Sequence, residues 1–200
     1  MISISKLVFT AALGSAFVAA PLSAVAAPTE TTRAGTTTVT LAPDFLAALS
    51  SLRVAPSAIA PGRLVANAKG TLAAFRITTG AVDIGSLNAE ISHEGGLALT
   101  AGATRVELSS FAIELDGQEN ILTGLAVVND SLAGRIPLFN LGLGGAKVGG
   151  NGNVLKVDDV GVTLNKVAAE TLNAIFNVTA FTENFPIGTA DVRAILDNRH

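Results

Sequence analysis

The chain has 200 residues, of which 49% are hydrophobic and only 4% aromatic, and its formal net charge is −3. It contains no Cys, which excludes disulfides, thiol nucleophiles, iron–sulfur clusters and Cys-ligated zinc. The slightly acidic chain also lacks the basic stripe with interleaved aromatics that nucleic acid requires, so we expect no nucleic-acid partner.

Residues 1–26 have the three parts of a secretory signal peptide. Lys6 supplies the positive charge, residues 7–20 form an uncharged apolar stretch, and Ala24-Val25-Ala26 offers a small-x-small cleavage site. The apolar stretch is shorter than the roughly 20 residues that cross a bilayer. We therefore expect an exported protein that is periplasmic, cell-surface or extracellular, and that is not an integral membrane protein after cleavage.

After the signal peptide we expect a flexible leader over residues 27–36 and a single β-rich domain over residues 37–200. The leader is small, polar and Pro-containing. Residues 37–41 alternate polar and apolar side chains on β-favouring residues and predict a strand. A short helix is predicted to open at Pro43-Asp44. Its apolar residues fall near a 3.6-residue period: Phe45, Leu46, Leu49 and Leu52.

From residue 64 to residue 143, short alternating runs are separated by turn residues, which is typical of antiparallel strands. The predicted strands cover residues 71–78, 86–93, 97–100, 104–108, 112–115, 121–128 and 132–139. The predicted turns lie at residues 79–80, 94–96, 101–102, 116–117 and 129–130. We expect a mainly β fold, either an antiparallel β-sandwich or a flattened barrel, with two short α-helices.

The second helix is predicted to follow Asn165, a residue type that caps helix N-termini. Its apolar residues fall on one helical face: Ala168, Leu172, Ile175 and Phe176. Residues 162–178 echo residues 39–54, because in both a Val-Thr-Leu run precedes an Ala-rich helix and a Val. Either this is an internal repeat, which would bring the two chain ends side by side, or shared propensities produced two similar elements.

Few residues can carry acid–base chemistry. His93 is the only internal histidine, and the chain has no Tyr. The serines that are candidates for a partner, Ser92, Ser109 and Ser110, do not lie in a nucleophile-elbow motif. We therefore expect no catalytic residues and no enzymatic activity.

Metal and phosphate sites are also not indicated. Asp158 and Asp159 are adjacent and would point to opposite faces of a strand. Residues 116–120 offer oxygen ligands but lack the spacing of an EF-hand loop, so we expect a hairpin turn and no metal site. Residues 142–152 contain six glycines without the dinucleotide or P-loop spacing, and predict a mobile or bulged connection.

The most distinctive block includes residues 92–99 (SHEGGLAL), 105–108 (RVEL), 122–124 (LTG) and 135–138 (RIPL). Over about residues 80–145 it resembles the HtaA-like domain of bacterial secreted and surface haem-uptake proteins. The resemblance implies haem binding through an axial tyrosine with a histidine beside it. His93 matches that histidine and is our candidate ligand-binding residue. The axial tyrosine is absent from this chain.

We therefore expect an exported, non-enzymatic binding or envelope-associated module, with haem or another flat apolar molecule as its ligand. The alternative is a structural or protein-interaction module of the periplasm or cell surface, without a small-molecule ligand, that contacts envelope proteins. A cleft lined by Phe and Leu beside His93 favours the first function, whereas a filled core favours the second.

Overall fold

The computed structural model describes residues 29–197, so the predicted signal peptide over residues 1–26 lies outside the described range. Within this range the chain forms twelve strands and two helices. In chain order they are β1 (Thr29–Leu41), α1 (Pro43–Ser51), β2 (Ala55–Ile59), β3 (Arg63–Asn67), β4 (Gly70–Asp83), β5 (Ala89–Glu94), β6 (Gly96–Ala101), β7 (Thr104–Leu115), β8 (Asn120–Val128), β9 (Ser131–Gly142), β10 (Lys147–Asn151), β11 (Val154–Leu164), α2 (Lys166–Phe176) and β12 (Pro186–Leu196).

Eight of the described strands close into an antiparallel barrel. Their order around the wall is β7, β5, β4, β1, β12, β11, β9 and β8, and the pairing of β8 with β7 completes the circle. The remaining strands extend the wall, since β6 pairs with β7, β2 with β6, β3 with β4, and β10 with β11. The predicted mainly β, antiparallel fold with two short helices is confirmed, and it takes the form of a barrel.

The two-residue period of the strands decides which side chains fill the barrel. Phe75 and Ile77 of β4 are buried, as are Phe111 and Ile113 of β7, while the residues between them are more exposed. The rings of Phe75 and Phe111 meet edge to face with their centroids 4.9 Å apart. Burying such side chains stabilises the fold by about 1.5–3 kcal/mol each.

Both helices leave the barrel at the same end. Leu41 of β1 and Val162 of β11 pair with Gly188 from opposite sides of β12, and each of these strands leads into a helix. Phe45 of α1 and Leu172 of α2 are buried at this helix end. The two strand–helix units that echo each other in sequence therefore flank one strand, although residue 178 lies in an irregular segment and not in a strand.

The turns β4–β5 and β10–β11 lie at the opposite end of the barrel, which we call the hairpin end. Asp83, the last residue of β4, pairs with Thr29 at the start of β1. One end of the barrel is therefore covered by helices and the other is bordered by turns.

The flexible leader predicted over residues 27–36 is wrong from Thr29 onward. Residues 29–36 belong to β1 and pair with β4 and β12. Their threonines favour extended backbone despite their polarity, and Thr32 is only 3% exposed. A polar composition therefore did not indicate disorder here, because the strand gains hydrogen bonds on both edges.

Three other local predictions differ from the structure. The turn predicted at residues 79–80 lies inside β4, where Gly80 lets another strand pass closely, since a Cβ there would lie 2.6 Å from the carbonyl oxygen of Glu90. The strands predicted at 104–108 and 112–115 form one strand, β7, interrupted by a bulge at Ser110. The connection predicted at 142–152 contains β10.

Candidate functional site

The barrel encloses an apolar cavity of about 130 Å³, which we call the lumen. All eight barrel strands and both helices contribute to its wall, mostly through Ala, Val, Leu, Ile and Phe. Within residues 29–197, the polar residues in the wall are Thr37, His93 and Thr171. Cavities with such a lining stay dry and bind apolar molecules.

The wall of the lumen extends from one end of the barrel to the other. At the helix end it includes Phe45 and Leu172, and at the hairpin end it includes Leu87 and Val148. Val148 of β10 has 45% of its surface exposed, whereas Leu172 is 6% exposed. The wall of the lumen is therefore more exposed to solvent at the hairpin end than at the helix end.

His93, the candidate from sequence, projects inward from β5 and is 5% exposed. Its Nε2 lies 2.7 Å from Oγ1 of Thr37 on β1, a residue that is also buried. The two strands lie on opposite sides of β4, so the hydrogen bond spans the strand between them. In the described part of the chain, Nδ1 of His93 has no hydrogen-bond partner.

Burial lowers the pKa of His93 to about 4, because an imidazolium ion loses its hydration inside an apolar lumen. Backbone groups of Phe111 and Ile91 near the ring raise the pKa by less than burial lowers it, although neither is placed to complete a hydrogen bond with Nδ1. The ring is therefore neutral at neutral pH. A neutral imidazole with one free nitrogen can accept or donate one further hydrogen bond, or coordinate a metal ion.

The structure does not bring the predicted alternatives together around His93. Its ring hydrogen bond goes to Thr37 and not to Ser92, Ser109 or Ser110. Since Nδ1 has no partner among the described residues, the acid that would orient a catalytic histidine is missing there as well.

The other candidate carboxylates form local contacts. Asp158 pairs with Arg193, and Asp159 pairs with Lys147 at 2.7 Å. Asp116 accepts hydrogen bonds from the backbone of the β7–β8 turn, which lowers the pKa of its carboxyl. Among residues 29–197, no group of three potential ligands is placed to hold a metal ion.

Neither the role of Thr37 nor the lumen itself was predicted from the sequence. The alternation of β1 contains a clue, because Thr37 shares a face with the core residues Val39 and Leu41. A polar residue on the inward face of a strand requires a partner. Nothing in the sequence, however, indicates that this partner lies 56 residues away.

The structural class of this protein is a closed antiparallel barrel, with helices over one end and an apolar lumen. No protein-family model and no curated protein matches the sequence. Among solved structures, the C-terminal domain of HtaA from Corynebacterium glutamicum superposes with a TM-score of 0.61 at 13% identity, covering 84% of this chain and 99% of that domain. The heme binding protein HtaB from the same organism gives 0.53 at 10% identity, covering 85% and 96%. The chain therefore has an HtaA-like fold.

Neither α1 nor α2 is long and apolar enough to span a membrane, and no other helix is found in residues 29–197.

Proposed function

We propose that this chain is an exported, non-enzymatic module that binds a hydrophobic small molecule inside its barrel, next to His93. The observation that carries the proposal is the apolar lumen, whose wall is partly exposed at one end and contains the buried pair of His93 and Thr37. At about 24 cal/mol per Å³, an unfilled cavity of this size destabilises a fold by about 3 kcal/mol. A ligand that fills the lumen would therefore stabilise the protein.

Haem is the first ligand to test, since HtaB shares the fold and is named as a heme binding protein. The neutral ring and free Nδ1 of His93 favour it. Two features oppose it. The chain has no Tyr for the axial position, and a lumen of about 130 Å³ is smaller than the roughly 300–1,000 Å³ of pockets that hold drug-sized ligands. In this conformation the lumen does not fit a porphyrin.

The test is a titration of haemin into protein lacking residues 1–26, in which the Soret absorption band is monitored. His93→Ala removes the candidate residue, and Ser92→Ala is the matched control on the neighbouring position of β5. A saturable one-to-one shift that His93→Ala weakens and Ser92→Ala preserves would support haem as the ligand. An unsaturable response of the wild-type protein would exclude haem.

Export is tested separately, by expressing the full chain with its N-terminus and analysing the cell fractions. We expect the protein outside the cytoplasm, with a mass that corresponds to cleavage after Ala26. A full-length cytoplasmic product would contradict the export part of the proposal.

A second candidate function is contact with an envelope protein. It is favoured by β10, which is exposed throughout and pairs with β11 along one edge. The other edge of β10 offers backbone N–H and C=O groups that a strand of a partner protein can bind. Cross-linking in an envelope fraction tests this function, with Gly149→Lys as the variant that places a charge on the strand. Equal cross-linking of both proteins would exclude β10 as the contact.

A further inference from the structure

We propose that the ligand of the lumen is a single linear alkyl chain, which enters at the hairpin end and extends toward the helix end. This inference rests on the proposed function and adds the chemical class of the ligand and its direction of entry.

The residues that line the lumen extend over most of the height of the barrel. Ala73 and Val82 of β4 both line it and are nine positions apart, which corresponds to roughly 30 Å of strand. With the strand tilt of about 35–45° found in barrels, this is roughly 23 Å along the barrel axis. The space of about 130 Å³ therefore lies among side chains that cover most of this height, which favours a narrow molecule. A chain of methylene groups is narrower than a flat macrocycle.

The chemistry of the wall agrees with this class of ligand. Among the described residues, no Asp, Glu, Lys or Arg lines the lumen. A charged head group would lose its hydration inside the barrel without gaining an ionic partner. The methyl end of an alkyl chain therefore enters first, and a polar head group remains in solvent.

The residues that line the lumen differ in exposure between its two ends. At the helix end, Phe45 is 8% exposed and Leu172 is 6% exposed, so these side chains cover the lumen there. At the hairpin end, Val148 is 45% exposed and Ile84, in the β4–β5 turn, is 43% exposed. Apolar side chains exposed beside the lumen offer a first contact for an alkyl chain. The alkyl chain therefore enters the lumen at the hairpin end.

The probe is cis-parinaric acid, a linear fatty acid that fluoresces when the methyl-terminal part of its chain enters an apolar site; the rest of the chain remains outside a lumen of about 130 Å³. We expect a saturable, one-to-one increase in fluorescence with the protein lacking residues 1–26, and displacement by dodecanoic acid. Ala126→Leu fills part of the lumen, because Ala126 is 2% exposed and lines it. This variant should bind the probe at least tenfold more weakly.

Ala112→Leu is the matched control, since Ala112 lies on β7 between the inward-facing Phe111 and Ile113 and does not line the lumen. It should bind within twofold of the wild-type protein. Val148→Lys is the second variant, at a position exposed enough to leave the fold intact, and it should weaken binding at least fivefold. Unchanged binding by both Ala126→Leu and Val148→Lys would overturn the proposal.

The outcomes for the two proposals are separable. If haemin binds at His93 and cis-parinaric acid does not bind, the binding module stands and the alkyl-chain inference is wrong. If cis-parinaric acid binds and the lumen variants weaken it, both proposals are supported. If neither probe binds saturably, both are wrong.

Discussion

Acidification should destabilise the fold through His93. Its pKa falls from about 6.5 in an unfolded chain to about 4 in the barrel. Between these values the unfolded state binds a proton that the folded state does not, so the contribution of His93 is complete above pH 6.5 and is lost as the pH falls toward 4. A fall in the pKa from 6.5 to about 4, at about 1.36 kcal/mol for each pH unit, corresponds to about 3 kcal/mol.

The assay is urea unfolding of the wild-type protein and of His93→Gln at a series of pH values between 7.5 and 4. The amide does not titrate, while carboxyls such as Asp83 and Asp116 titrate equally in both proteins. The free energy of unfolding of the wild-type protein, relative to that of the variant, should decrease by about 3 kcal/mol across this range. A difference that stays constant with pH would refute the burial of a neutral imidazole.

Three further changes should affect the stability of the barrel, each measured by the free energy of unfolding in urea. Gly35→Ala should lower the free energy of unfolding by at least about 2 kcal/mol, because φ of Gly35 is +146° and a Cβ would lie 2.2 Å from the carbonyl oxygen of Arg193. Its control is Gly149→Ala, at a position with open space around it, which should change stability by less than about 0.5 kcal/mol. Asn165→Ala should cost at least about 1 kcal/mol because the α2 cap and the hydrogen bond from Asn165 Nδ2 to Asn140 Oδ1 are both lost. Asn165→Ser loses the bond to Asn140 but keeps a capping oxygen, so it should cost less than Asn165→Ala; equal losses would contradict the capping role. Leu49→Ala should cost about 2–5 kcal/mol, since the side chain is 1% exposed, and a loss below about 1 kcal/mol would show that the helix end is not packed.

Local features were predictable because their causes lie within a few residues. Pro43 opens α1 as expected, and Asn165 accepts the hydrogen bond from the backbone of Val167 at 3.0 Å that a capping residue requires. The turn at residues 129–130 occurs where predicted, with positive φ at both residues. The hairpin turn at residues 116–119 is closed by Asp116, as the polar loop indicated.

The candidate site was predictable only in part. His93 was singled out because it is the only internal histidine and because the surrounding residues resemble a known domain. Its partner Thr37 lies 56 residues away on another strand. Its low pKa depends on burial, which in turn depends on closure of the barrel. A sequence pattern specifies the inward face of a strand, but not what lies opposite that face.

The alternation of the strands, most turns and the starts of both helices follow from the sequence, since these features depend on local propensity and spacing. The pairing of β7 with both β5 and β8, which closes the barrel, depends on contacts between distant parts of the chain. Closure leaves space along the barrel axis because side chains from facing strands do not fill it completely. The lumen, the Thr37–His93 contact and the two unlike ends are products of long-range pairing, which no short stretch of sequence encodes.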